Sequence, residues 1–268
     1  MSNPTVVVVT GVSSGIGRAT AEQFAKRECR VFGTVRSITR TAPVAGVELI
    51  DMDVRDDASV QSGIRTIIER AARIDVLVNN AGTSLIGAVE ETSVAEATAL
   101  FDTNVLGILR TVQAVLPHMR ARRGGRIVNV SSVLGFLPAP YMGLYAASKH
   151  AVEGLTETLD HEVRQFGIRA TLVEPSFTRT SLDVNAPHAN ASIADYDRER
   201  TLASRAIVDN VKAAPEPDGV ASTIVEAALG AWRMRRAPSG EASLLRTLRR
   251  FMPAGPVDSS LRKKFRLA

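Results

Sequence analysis

The chain has 268 residues, 45% hydrophobic and 23% charged, with 19 Gly and 12 Pro. That composition is globular and excludes disordered, collagenous and coiled-coil chains. A single cysteine, Cys29, excludes an internal disulfide framework and a multi-cysteine zinc site, and four scattered histidines offer no metal-ligand spacing, so no metal is expected.

The net charge of +5 is unevenly placed. Ten Lys/Arg against Glu241 and Asp258 make residues 233–268 +8, which leaves 1–232 at −3. The basicity belongs to an extension rather than to the body, and no nucleic-acid partner is expected from it. The apolar run at 6–9 is too short for a signal core and lacks a preceding cationic stretch, so a cytoplasmic location is expected. Residues 127–148 carry no charge and are long enough to span a bilayer, yet they contain Asn129, three serines, two prolines and two glycines. They read as a strand, a loop and a helix start.

In chain order, apolar runs at 5–10, 30–35, 47–51, 75–79, 126–131 and 168–174 read as strands. Several are apolar on both faces, as central strands of a parallel sheet between helices should be. Helical periodicity falls at 16–26, 58–72, 104–122 and 145–166; in the last, Val152, Leu155, Leu159, Val163 and Phe166 recur at three- and four-residue spacing. This alternation predicts one α/β domain over 1–268, a doubly wound parallel sheet with helices on both faces and a core at about 5–232. Residues 176–218 are polar and without clear periodicity and read as a functional loop. Helices follow at 218–232 and 241–252, the second within a basic extension over 233–268.

After the first strand comes Thr10-Gly11-Val12-Ser13-Ser14-Gly15-Ile16-Gly17, opening a helix. Glycines there permit a tight turn and let backbone amides approach a pyrophosphate, and the helix N-terminus favours that anion. The spacing is GxxxGxG rather than GxGxxG. NAD enzymes generally place an acid about 20 residues further on for the ribose hydroxyls. Here no acid occurs between Glu28 and Glu48, and the second strand ends in Arg36, with Arg40 behind it. A guanidinium without a competing carboxylate suits a 2′-phosphate, so NADP(H) is expected over NAD(H).

Asn79-Asn80-Ala81-Gly82 ends the fourth strand, Ser131-Ser132 closes the fifth, and Tyr145-Ala146-Ala147-Ser148-Lys149 opens a helix. Four residues apart, Tyr145 and Lys149 share a helix face. A nearby ammonium favours a phenolate and is expected to lower the Tyr145 pKa, making it usable in proton transfer. In this order and spacing, residues 10–17, 79–82, Asn104, Ser132 and 145–149 resemble the short-chain dehydrogenase/reductase family over about 5–232.

The resemblance implies a Rossmann-type oxidoreductase that interconverts carbonyls and alcohols with a nicotinamide cofactor. It assigns Tyr145 as general acid/base, Ser132 as hydrogen-bonding partner of the substrate oxygen and Lys149 as holder of the nicotinamide ribose. Asn104, at a helix start, matches the asparagine that holds a relay water. Cofactor contacts fall at Gly11, Ser13, Ser14, Gly15, Ile16 and Gly17, at Arg36, at Asp53 and Val54, at Asn80, Ala81 and Gly82, and at Tyr145 and Lys149. Pro175, Thr178 and Thr180 align with the family's PGxxxT motif, Ser176 replacing the glycine. Asn79 reads as a sheet-stabilising residue, and the four histidines as surface or structural.

The segment 135–143 is apolar and uncharged and suits a small lipophilic carbonyl or alcohol substrate. The opening 34–36, the 176–218 insert and the basic extension resemble the branch containing 17β-hydroxysteroid and retinol dehydrogenases. Apolar and basic positions interleave over 244–251, a pattern that fits a solvated helix packed on the body, a cover for the pocket, or peripheral contact with an anionic membrane. The resemblance also implies a homodimer or homotetramer through the helices starting near Asn104 and Tyr145. A non-catalytic NADP(H)-binding regulator of the same fold is the alternative reading, against which the intact Ser132, Tyr145 and Lys149 set speaks.

Overall fold

A computed structural model describes residues 3–249 and 254–267. Seven strands, β1 (Val6–Thr10), β2 (Arg30–Val35), β3 (Val47–Asp51), β4 (Val76–Asn79), β5 (Gly125–Val130), β6 (Ile168–Val173) and β7 (Arg235–Arg236), form one sheet in the order β3-β2-β1-β4-β5-β6-β7. Every pairing is parallel. The two-residue side-chain period of β1 explains the layers. Val6 and Val8 pack with Ile64 of α2 (Asp57–Ala71), Val112 and Val115 of α4 (Gly107–Ala121) and Val152 of α5 (Gly143–Val163). Val7 and Val9 pack on the other face with Phe24 of α1 (Gly15–Lys26) and Ile224 and Val225 of α8 (Asp218–Leu229). Strand order reverses between β1 and β4, and a crevice opens there at the carboxyl ends of the strands.

The six predicted strands match β1 to β6 within a residue at each end. The predicted helix start at Asn104 does not hold. The helix begins ten residues earlier, at Val94 of α3 (Val94–Phe101), because Ser93 and Glu96 form a reciprocal capping box. The run continues through a π turn, Asp102–Leu106, into α4. By length and apolarity alone, Val94–Ala121 could cross a bilayer. It carries Asp102 and Arg110, which pair with each other at 2.7 Å, and its Val112 and Val115 belong to the core.

The segment 176–218 is not irregular: it holds α6 (Ser181–Val184) and the 17-residue α7 (Asp197–Ala213). Helix α7 buries Ala203, Ala206, Ile207 and Val211, a helical stripe built half of alanine and therefore weak in hydropathy. Strand β7 escaped notice because its two residues are arginines; Arg235 is held at the sheet edge by Glu157 (2.8 Å) and by the buried Glu153 and Glu174.

Of the helix expected at 241–252, the structure gives α9 (Glu241–Arg249), and residues 250–252 lie outside the described residues. A further helix, α10 (Ala254–Lys264), follows, and Phe265 and Leu267 behind it are buried. Basic groups of the extension are fastened to acids: Arg266 pairs with Asp209 at 2.8 Å, and Lys264 pairs with Glu241. Cys29 is half-buried.

Candidate active site

A cleft of about 720 Å³ runs along the carboxyl ends of the strands. One end is built by the glycine turn. Gly11 and Gly15 have φ of +71° and +57°, backbone that favours glycine. A Cβ on Gly17 would collide with the Gly11 carbonyl oxygen and the Asn80 amide, so the turn packs directly against the segment after β4. Asn80 braces it: its Nδ2 donates to the carbonyls of Thr10 (2.9 Å) and Gly11 (3.1 Å), while Thr10 Oγ1 accepts from the Asn80 and Ala81 amides at 3.0 Å each.

Helix α1 starts without a side-chain cap and without an acid in its first turn. By contrast α2 is capped by Asp56 and α3 by Ser93. Because Ser13, Ser14, Gly15, Ile16 and Gly17 line the cleft, the uncapped amides of α1 face it, and they fit a pyrophosphate. Ala81, Gly82, Pro175, Thr178 and Thr180 line the cleft as well; Thr180 lies against Gly15 and caps α6 by accepting from the Leu182 amide at 3.4 Å.

At the outer edge, Arg36 is exposed and lines the cleft with Asp53, Val54 and Arg55. Asp53 is gripped by Arg55 at 2.7 and 3.0 Å, and that pairing holds its carboxyl below the ordinary range. Asp51 Oδ1 accepts the Ile38 amide at 2.7 Å. Arg55, two residues beyond Asp53, is a cation the sequence reading passed over.

At the inner end Ser132, Tyr145 and Lys149 come together. Ser132 stands at the end of β5, where its Oγ accepts the Leu134 amide at 3.1 Å and faces the Tyr145 hydroxyl. Lys149 is buried one turn beyond Tyr145 on α5; its Nζ donates to the Val130 carbonyl at 3.0 Å and lies 5.7 Å from the Tyr145 ring centre. The expected lowering of the tyrosine pKa is reversed here. Burial pushes the phenol above its ordinary value, the Asp183 charge adds to this, and the Ser132 contact opposes it. Burial likewise draws the Lys149 ammonium down to about 8, against the opposing pull of Glu153 and Asp183. For both groups desolvation is the largest effect.

Asn104 lies behind this group, in the π turn rather than at a helix start. Its Oδ1 accepts the Thr83 amide at 2.9 Å, and both Nδ2 protons are committed, to Thr83 O (2.9 Å) and Ser148 Oγ (3.1 Å). Ser148 in turn donates to the Tyr145 carbonyl at 2.7 Å, so Asn104 ties the segment after β4 to the helix that carries the tyrosine. Asn79 is likewise committed: it donates to Asn129 at 2.8 Å and accepts from Thr111 at 2.7 Å.

Beyond Tyr145 the cleft is walled by Leu85, Leu100, Leu137 and Met142, and by Leu245, Leu261 and Phe265 from the C-terminal extension. Of the interleaved segment, Leu245 lines the cleft and Leu244 is exposed. Among the described residues no cluster of His, Cys, Asp or Glu could hold a metal.

A doubly wound sheet whose switch-point crevice joins a glycine-cradled anion site to a buried Ser-Tyr-Lys group defines a Rossmann-type, dinucleotide-dependent oxidoreductase. The chain belongs to the short-chain dehydrogenase family, whose model matches residues 5–191. It is 36% identical over 278 residues to retinol dehydrogenase 8 of Bos taurus, covering 95% of this chain and 88% of that protein. It is 38% identical over 182 residues to the 3-ketodihydrosphingosine reductase of Bacteroides thetaiotaomicron, covering 68% and 67%. A short-chain dehydrogenase from Streptomyces avermitilis superposes with a TM-score of 0.82 at 33% identity, covering 97% of this chain and 95% of that one. A short chain dehydrogenase/reductase from Burkholderia phymatum, solved in complex with NAD, gives 0.80 at 31% identity and 92% coverage of each chain.

Proposed function

We propose that this chain is an NADP(H)-dependent oxidoreductase that interconverts a carbonyl and an alcohol on a small lipophilic substrate. The observation that carries the reading is the meeting of Ser132, Tyr145 and Lys149 between a glycine cradle and an apolar wall in one cleft. The names of the relatives, acting on retinol and on a ketosphingoid, agree with a lipophilic substrate.

NADP(H), when bound, supplies hydride to the carbonyl carbon. The α1 amides and the glycine turn would hold its pyrophosphate, Lys149 its nicotinamide ribose and Arg36 its 2′-phosphate. The chain does the rest. The Ser132 hydroxyl donates to the carbonyl oxygen and fixes its position. Tyr145 passes its phenolic proton to that oxygen, and the Lys149 ammonium supports the phenolate left behind. Asn104 acts as a positioning residue, fixing α5 through Ser148.

Preference for NADP(H) rests on Arg36 and on the engagement of the two neighbouring carboxylates, Asp53 by Arg55 and Asp51 by a backbone amide. Tyr145→Phe keeps the ring but removes the proton. It should cut kcat on a lipophilic ketone by about 10²- to 10⁴-fold with NADPH binding retained; parental turnover would remove the tyrosine from the mechanism. Arg36→Asp should move the ratio of kcat/KM with NADPH to that with NADH by about tenfold or more toward NADH. An unmoved ratio places the 2′-phosphate elsewhere.

A further inference from the structure

The apolar end of the cleft contains two polar side chains for which the carbonyl chemistry has no use. Asp183, on α6, and Ser84, in the segment after β4, both line the cleft beside Leu85, Leu100 and Met142. Ser84 is only 1% exposed. Burial pushes the Asp183 carboxyl above its ordinary value, and the Ser84 hydroxyl, which faces it, opposes this; yet Asp183 Oδ1 and Ser84 Oγ are buried without a hydrogen-bond partner of ordinary geometry among the described residues. Both lie on the reacting side of the cleft: Leu85, next to Ser84, and Ala186, one turn beyond Asp183, pack in one cluster with Tyr145 and Met142. Lys149, whose charge acts on Asp183, already donates to the Val130 carbonyl. An acceptor buried in this way costs free energy until a donor reaches it, and an ionised carboxyl can only accept.

We infer that Asp183 and Ser84 form a subsite for an ammonium group borne next to the reacting carbon, so that the substrate is an aliphatic amino ketone or the matching amino alcohol. The inference rests on the oxidoreductase reading above and narrows its substrate. An ammonium brings several donors and one positive charge. It can satisfy the carboxylate and the serine oxygen together, in a setting where charge-assisted bonds are strong. Leu85, Leu100, Met142 and Phe265 then take the hydrocarbon, and the carbonyl oxygen lies toward Ser132 and Tyr145.

The test compares a medium-chain 3-ketone with its 2-amino derivative, using the full chain and Asp183→Asn. The wild type should favour the amino ketone in kcat/KM, and Asp183→Asn should lower the amino-to-plain ratio by about 10- to 100-fold. Any general effect of Asp183 on Tyr145 or Lys149 cancels in that ratio. An unchanged ratio, or a wild type that prefers the 2-hydroxy ketone to the 2-amino one, overturns the inference. Calorimetric titration of the chain with the 2-amino-3-alkanol and the plain 3-alkanol gives a reading independent of turnover. Selective weakening of the amino alcohol in Asp183→Asn supports the subsite, and equal affinities for the two alcohols in the wild type sink it. Reduction of neither ketone by the wild type would defeat the oxidoreductase reading, while the titration still decides the subsite.

Discussion

Lys149 illustrates how burial governs single residues at this site. It is 7% exposed, and the ammonium is drawn down to about 8 from its ordinary 10.5. The folded chain therefore gives up this proton near pH 8, while the unfolded chain keeps it to 10.5. Between those values the unfolded state binds more protons, so this residue's contribution to stability rises with pH. The free energy of unfolding of the wild type, taken relative to Lys149→Met, should be flat below pH 8. It should then climb by about 1.4 kcal/mol per pH unit toward 10.5. Urea unfolding of the two chains across pH 7 to 10.5 measures this, and a flat difference throughout would mean the ammonium sits in water. The pairing of Tyr145 with Lys149 was legible because four residues on a helix fix their relation without knowledge of the fold. The sign of the tyrosine shift was not legible, since it depends on enclosure by α6, the β5 end and the extension. Asp183 was invisible for the same reason: nothing in its neighbours along the chain says it turns inward.

Elements carry their own signals, of unequal strength. Six strands were readable because burial on both faces makes them continuously apolar. Helix α7 was missed because alanines supply half its buried stripe, and β7 because two arginines look like surface until Glu153, Glu157 and Glu174 are brought to meet them. The start of α3 had a local signal, Ser93 and Glu96 three residues apart, which the stronger apolar period beyond Asn104 outweighs. The α1 turn is the element on which coenzyme binding depends most directly. Gly17 has no room for a methyl group, since the obstacle is the Gly11 backbone and the Asn80 amide that braces it. Gly17→Ala should push the turn away from β4, lower stability by about 1–3 kcal/mol and abolish NADPH binding as read by cofactor fluorescence. Gly219→Ala, in α8, meets nothing within 4 Å and should melt no lower than the parent. If the two substitutions behaved alike, close packing of the cradle would not be the cause.

For the molecule as a whole, the outer surface of the helix layer formed by α4 and α5 bears on assembly. Leu106 in the π turn and Leu109 on α4 are 42% and 36% exposed, and Val94 at the start of α3 is 84% exposed. Next to them, α5 shows solvent a row of mostly small side chains, Ala147, His150, Gly154, Thr158 and His161, while its opposite side is buried. At 21 residues α5 is about 30 Å long. With a neighbouring helix about 10 Å away, the pair offers a smooth face of the order of half a standard interface. Isologous pairing of this face with itself would cover the leucines, and small residues on α5 would let two copies approach closely. Gly154 separates this from a purely structural account, because a Cβ there has no neighbour within 4 Å in the single chain. Gly154→Glu with Leu109→Asp should therefore leave the melting of the subunit little changed. It should convert an assembly of two or more copies, seen by analytical ultracentrifugation at micromolar concentration, into a 28.7 kDa monomer. A wild type that already sediments at that mass, or a double variant that still associates, would show that this face is not the contact. Because α5 also carries Tyr145 and Lys149, an assembly built this way would stiffen the helix that holds the reacting groups. The monomeric variant should then lose turnover as well as mass.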